Sequence, residues 1–374
     1  MEYERELKIL EELKNKIRNE NDIQKQTLLI CNYFNIVAYL EQLNIINAID
    51  YVDDLNVDLS RYFDELLNGR LNYCNEFLGN FLEIQKINSN IIKLYRKYPL
   101  KKRELEYCNP INIHEGMDLL YDFFGGLSDE FYSIFKNMVL DARIATMPSI
   151  CEEGSTYNVG KDYGQYIIIR DGSKTYDFEF ISALAHEIGH CYEFNLTNNN
   201  QRIMPLYLFA EVSSLFIEKL FKLYNIENDL YKKETIHSEM VWQGILKQRV
   251  LVNDFTNKCL IANTGIKFNG YDSDFKDYDN VKAKYFINKT NQKAIKEMPP
   301  SLENYLYVIG DFIANNFIEI YKQNDKECLE LLKRFLLNSK TTPVSTNLKT
   351  FGTSYIETEK VIKQSYEFQK GLKR

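Results

Sequence analysis

Residues 183–192 read ALAHEIGHCY and place His186, Glu187 and His190 in the pattern H-E-x-x-H. On an α-helix, side chains four apart stand one above the other, so two imidazoles can face one cation while the carboxylate beside the first reaches the same space. That is the pattern of a zinc site with a general base built in. The flanking residues support the helix: Phe180, Ile181, Leu184, Ala185 and Ile188 recur at three- and four-residue steps, and Asp177 precedes them as an N-cap residue type. Gly189 costs such a helix about 1 kcal/mol against alanine, which predicts another backbone or the metal site close against it. The bland alternative is a pair of surface histidines, and the apolar context argues against it.

Two histidines do not close a catalytic zinc site, which takes three protein ligands and keeps one position open. The next apolar run, LYLFAEVSSLFIEKLFKLY at 206–224, predicts a helix beginning near Pro205. It carries Glu211 and Glu218, seven residues apart and therefore on nearly one face. A carboxylate inside so apolar a run needs a partner, because an unpaired buried charge is costly. Zinc is that partner for Glu211, and Glu218 is spaced to orient a histidine ligand. Exposed charges on an amphipathic helix remain the alternative for both.

With these residues in place the chain resembles the zinc peptidases related to oligoendopeptidase F and thimet oligopeptidase. The resemblance rests on His186, Glu187 and His190 followed by AEVSSLFIE at 210–218, on INIHEGMDLLYDFFGGLSDEFYSIFKNM at 111–138, on the strand-like 166–170, and on Tyr307, Val308, Ile309 and Gly310. It implies a mainly α, multi-helix, two-lobed zincin-like fold with a small β-sheet beside the H-E-x-x-H helix. It also implies one zinc ion (Zn2+) per chain held by His186, His190 and Glu211, with Glu187 as general base and Tyr307 and Tyr305 as hydrogen-bond donors to the oxyanion. The implied activity is metalloendopeptidase cleavage of short peptides, with 1–110 as an N-terminal helical region walling a substrate channel and 111–374 as the catalytic region. One departure stands out: related enzymes carry a histidine shortly before the tyrosine segment, yet 280–304 contains none, and the position three before Tyr307 is Asn304. A peptide-binding protein that keeps a structural zinc is therefore a second reading. Aminopeptidases with the same zinc motif carry a G-x-M-E-N segment, which is absent here.

The remaining sequence sets bounds. A chain of 374 residues with 45% hydrophobic content can bury a large core. Its 46 basic and 53 acidic residues give a net charge of −7 without a long basic run, which argues against a nucleic-acid partner. The opening MEYERELKILEELKNKIRNEND reads as a charged amphipathic helix and not as a leader, and no stretch is apolar for the roughly 18 residues that a membrane span needs. The 7 cysteines lack C-x-x-C spacing, which fits a reducing, cytoplasmic compartment, and Cys191 reads as a small core residue.

Residues 1–140 predict helix after helix, with stripes at Leu7, Leu10, Leu13 and Ile17, then from Leu28 to Leu40, then from Phe63 to Leu82. Breaks are expected at 19–22, 53–58 and 98–110. Glycines then punctuate 148–175 around the β-prone run Tyr166, Ile167, Ile168 and Ile169. An exposed edge on Tyr166, Ile167 and Ile168 would accept a peptide as an added strand, the alternative being an ordinary structural strand. His114 and His237 are expected at the surface, an irregular stretch is expected over 263–280, and helices are expected beyond Pro299 and Pro300.

Overall fold

The computed structural model describes residues 3–101, 111–147, 154–170, 178–197, 208–264, 303–339 and 342–372. The Asp177 cap, the Pro205 helix start, the stretch from 265 and the proline pair lie outside these residues.

The chain starts as an antiparallel helix pair, α1 (Glu4–Asn19) and α2 (Ile23–Gln42). The turn between them is set by Asp22, whose carboxylate accepts from the amides of Gln24 and Lys25 and so satisfies two donors the helix cannot use. The stripe of Leu10, Leu13 and Ile17 is buried against Ile36, Val37 and Leu40. A short helix not visible in the periodicity, α3 (Ala48–Leu55), follows and stops at Asn56, which takes a left-handed φ of 48°. The stripe expected to run from Phe63 to Leu82 is two helices, α4 (Ser60–Gly79) and α5 (Phe81–Lys97), and its two end residues are exposed. Next come α6 (Ile113–Leu127) and α7 (Asp129–Leu140), each opened by a polar cap, Asn112 and Ser128.

A three-stranded sheet follows: β1 (Ile144–Met147), β2 (Gly154–Asn158) and β3 (Gln165–Arg170), in the order β1-β3-β2. β3 runs parallel to β1, with Ile167 opposite Ile144, and antiparallel to β2, with Tyr166 opposite Tyr157. The strand with the strongest β signal is thus central. Both its edges are already paired, and Tyr166, Ile167 and Ile168 are fully buried, so these three residues cannot receive a peptide strand. The outer edges belong to β1 and β2. Alternation along β3 sends Tyr166 and Ile168 to the core of α1 and α2, and Ile167 and Ile169 to a second, larger core.

That larger core is helical. It is formed by α8 (Phe178–Leu196), α9 (Val212–Glu227), α10 (Lys232–Thr264), α11 (Glu303–Tyr321), α12 (Asp325–Asn338), α13 (Val344–Phe351) and α14 (Ile356–Gly371), together with α4, α5, α6 and α7. α8 lies between the sheet and α9, and α9 lies between α8 and α11. The architecture is mainly α with one small sheet beside the helix that carries H-E-x-x-H. Among the described residues no helix is long and apolar enough to cross a membrane. His114 is exposed in the first turn of α6, but His237 is buried, its ring facing Phe368, which corrects the expectation of a surface position.

Candidate metal centre

His186 and His190 project from α8 one turn apart, their ring centroids 5.0 Å from each other. Glu211 faces them from the neighbouring segment. Its carboxylate Oε2 lies 3.3 Å from His186 Nε2 and 3.6 Å from His190 Nε2. Four donors held tetrahedrally at about 2.0–2.1 Å from one zinc ion stand about 3.3 Å from each other. The Glu211 carboxylate therefore stands at about that spacing from both imidazoles, and with all ligand atoms within 4.8 Å of one another the three form the one group of this kind among the described residues. All three side chains are at most 17% exposed.

Two close backbone approaches hold this geometry. A Cβ at Gly189 would sit 2.5 Å from the Cα of Ser214, so α8 and α9 touch where any side chain would part them. Ser213 Oγ donates to the Gly189 carbonyl at 2.7 Å across the same contact. On the other flank a Cβ at Gly310 would meet the Glu211 Cβ at 2.8 Å, so α11 presses directly on the carboxylate residue. The backbone contact foreseen from Gly189 is thus found, and Gly310 has the same role on a second helix.

Glu211 does not stand inside a helix. It is the residue before α9, with φ −96° and ψ 3°, and its carbonyl accepts the first helical hydrogen bond from Leu215. A carboxylate there faces the positive end of the helix macrodipole. Ser214, in the first turn, lies 3.3 Å from Glu211 Oε2 and adds a hydroxyl donor.

His186 makes its second contact through Nδ1, 3.1 Å from Glu218 Oε2. Glu218 is itself held by Ser182 Oγ at 3.3 Å and by Lys222 Nζ at 2.7 Å. Burial opposes the charged form of His186, but the hydrogen bonds to Glu211 and Glu218 outweigh it and hold its pKa well above the ordinary 6.5. His190 is raised in the same way, burial being overcome by the charge of Glu211. Burial on its own would raise the Glu211 carboxyl, yet the two histidines hold it well below the usual range; for Glu218 the opposing cation is chiefly Lys222.

Glu187 points to the sheet side. It is buried, and Thr156 Oγ1 on β2 donates to its Oε2 at 2.6 Å. A Cβ at Gly154 on the same strand would meet Glu187 Oε1 at 2.7 Å, so only glycine leaves room for that oxygen. The carboxylate is thus oriented by one donor while its other oxygen occupies the space above Gly154.

The two tyrosines part company. Tyr305 is fully buried, donates its hydroxyl to the Asn253 carbonyl at 2.8 Å and packs on Phe77 at 4.7 Å, so it cannot serve an oxyanion. Residues two apart on a helix point roughly 200° away from each other, so the pair could never share one site. Tyr307 lies one turn before Gly310 on α11. Its ring is half-buried, covered by the Arg249 guanidinium at 3.6 Å and met edge-on by Trp242 at 6.2 Å. Thr156, Gly154 and Gly310 carry no sequence signal for their contacts. Lys222 does, standing four residues after Glu218.

Neither a protein-family model nor a curated protein matches the chain. Among solved structures it is similar to a Bacillus anthracis str. Ames protein assigned to oligoendopeptidase F, at 11% identity and a TM-score of 0.47, covering 91% of this chain and 65% of that one. A Chlamydophila abortus protein assigned as a peptidase gives 14% identity and 0.47, covering 91% and 62%. PZ peptidase A in complex with an inhibitor gives 12% identity and 0.47, covering 97% and 71%. The chain thus spans less than two thirds of the length of the first two of these structures.

Proposed function

We propose that this chain is a zinc-dependent metalloendopeptidase that hydrolyses short peptides. The observation that carries the reading is the convergence of His186, His190 and Glu211, with the carboxylate at the spacing of zinc ligands from both imidazoles and Glu187 next to His186 on the same helix. A zinc ion held there supplies Lewis acidity, which brings the pKa of water from 15.7 to about 7. Glu187 takes a proton from the attacking water and delivers it to the leaving amine nitrogen. Thr156 aims that carboxylate through its hydrogen bond, and Glu218 keeps a proton on His186 Nδ1 so that Nε2 is free to ligate. Tyr307, from α11, donates its hydroxyl to the developing oxyanion without needing a positive charge. An extended substrate is received at the outer edge of β2, next to Thr156, and not along β3.

Cys31, Cys191 and Cys328 are buried thiols outside any disulfide, which supports a reducing, cytoplasmic setting, and the net charge of −7 supports a peptide partner and neither nucleic acid nor an anionic membrane. The test is metal content and cleavage of a quenched peptide library. Wild type is expected to hold one zinc and cleave, and Glu187→Gln to hold the same zinc and lose at least about 100-fold in kcat. Equal cleavage by both proteins rejects the assignment. The absence of a histidine in 280–304 favours a second reading, a zinc-stabilised peptide-binding protein. It predicts retention of peptides with no products above the Glu187→Gln background.

A further inference from the structure

Nδ1 of His186 is the first link of a buried chain that leads away from the metal centre. Glu218, which it contacts at 3.1 Å, pairs with Lys222 at 2.7 Å, and Lys222 reaches Glu239 on α10 at 3.4 Å. The other oxygen of Glu239 faces Lys219 at 3.6 Å, and Lys219 pairs with Asp311 on α11 at 2.8 Å. The same Asp311 oxygen accepts from Trp242 Nε1 at 2.8 Å. Trp242 is the single tryptophan of the chain, and its ring meets Tyr307 while Arg249 covers both. Glu239 and Asp311 are each steadied by one amide, Gln243 at 2.8 Å and Asn315 at 2.9 Å.

The five charges alternate in sign from Glu218 to Asp311, and their side chains are only 2% to 17% exposed. With so little exposure to water, each of them is held chiefly by its charged neighbours in the chain. An apolar core of the same volume would be at least as stable as such a string of ion pairs, which makes stability alone a poor reason for it. What the chain does supply is a fixed relation between α9, α10 and α11, and its two ends are a metal-ligand ring and the ring of Tyr307.

We propose that this alternating chain is a positioning relay. Glu239 and Asp311, neither of which touches the metal centre, keep His186 and Tyr307 in one register, and filling the metal centre is transmitted to Trp242. The proposal rests on the reading of His186, His190 and Glu211 as metal ligands.

The probe is zinc itself, titrated into the chelator-treated full chain. Occupancy is followed with a competing chromophoric chelator, and Trp242 emission is excited at the red edge, where tyrosine does not absorb. In the wild type the emission is expected to change and to saturate with the zinc. In Glu239→Gln zinc is expected to bind about tenfold more weakly, and at full occupancy the Trp242 response is expected to shrink by about threefold or more. Peptide cleavage by that variant is expected to lose about tenfold in kcat with KM nearly unchanged. Zinc saturation without any Trp242 response in the wild type, or a wild-type response in Glu239→Gln, overturns the relay and leaves the metal centre standing. A wild-type chain that binds no zinc overturns both. If Glu239→Gln does not fold, Asp311→Asn keeps an acceptor for Trp242, removes the charge facing Lys219 together with the bond from Asn315, and carries the same test with the same outcomes.

Discussion

Glu211 sits where opposing demands meet: burial disfavours its charge, and two imidazoles within 3.6 Å require it. The consequence is a pH dependence with a defined sign. The folded-state pKa values of His186 and His190 are raised above 6.5, so the stabilisation they give is complete below 6.5 and is lost as pH rises through the raised values. Glu211 and Glu218 are depressed below 4.5, so their contribution is present above 4.5 and is lost as pH falls through their folded-state values. Metal-free protein is therefore expected to melt highest between 4.5 and 6.5 and to weaken towards alkaline pH. Zinc needs both rings deprotonated, so its affinity should rise with pH. Thermal melts of chelator-treated and zinc-loaded protein across this range check it, and parallel curves would count against the ion-paired cluster. His186, Glu187 and His190 were readable because one helical turn aligns them whatever else the chain does. Thr156 was not, since its contact with Glu187 bridges 31 residues through a strand whose register is a tertiary fact.

Between elements the decisive contact is that of α8 with α9. Alanine favours a helix interior over glycine by about 1 kcal/mol, so Gly189→Ala would stabilise α8 in isolation. Its Cβ, however, would lie 2.5 Å from the Ser214 Cα, which belongs to backbone and cannot rotate away. Gly189→Ala is expected to destabilise the protein by about 1–3 kcal/mol through overpacking and to weaken zinc binding by moving Glu211. Urea denaturation and a zinc titration measure both effects, and a variant as stable as wild type would show that the helices can separate freely. The glycine was legible as a cost that needed a cause. The start of α9 at Val212, leaving Glu211 as a cap, was not: the apolar periodicity of 206–224 continues through the turn at 208–211, and the close approach of Gly310 to Glu211 there leaves no trace in it.

Across the whole molecule, β3 divides the apolar interior, with α1 and α2 on the face of Tyr166 and Ile168 and the helical core on the face of Ile167 and Ile169. Leu13 is fully buried in the smaller part, and truncating such a leucine removes about 2–5 kcal/mol. Leu13→Ala is therefore expected to speed amide exchange in α1 and α2 while zinc content stays at one per chain. Loss of zinc in this variant would mean that the two parts unfold as one. The helical stripes, the mainly α class and the two zinc-spaced histidines with their neighbouring glutamate follow from the sequence by itself, because each depends on periodicity within a single turn or strand. The tertiary structure alone decided that β3 is enclosed on both edges, that Tyr305 is buried away from Tyr307, that Thr156 and Gly154 frame Glu187, and that a string of buried charges runs from Glu218 to Asp311. These features join residues on different elements, and local periodicity carries no record of which faces meet.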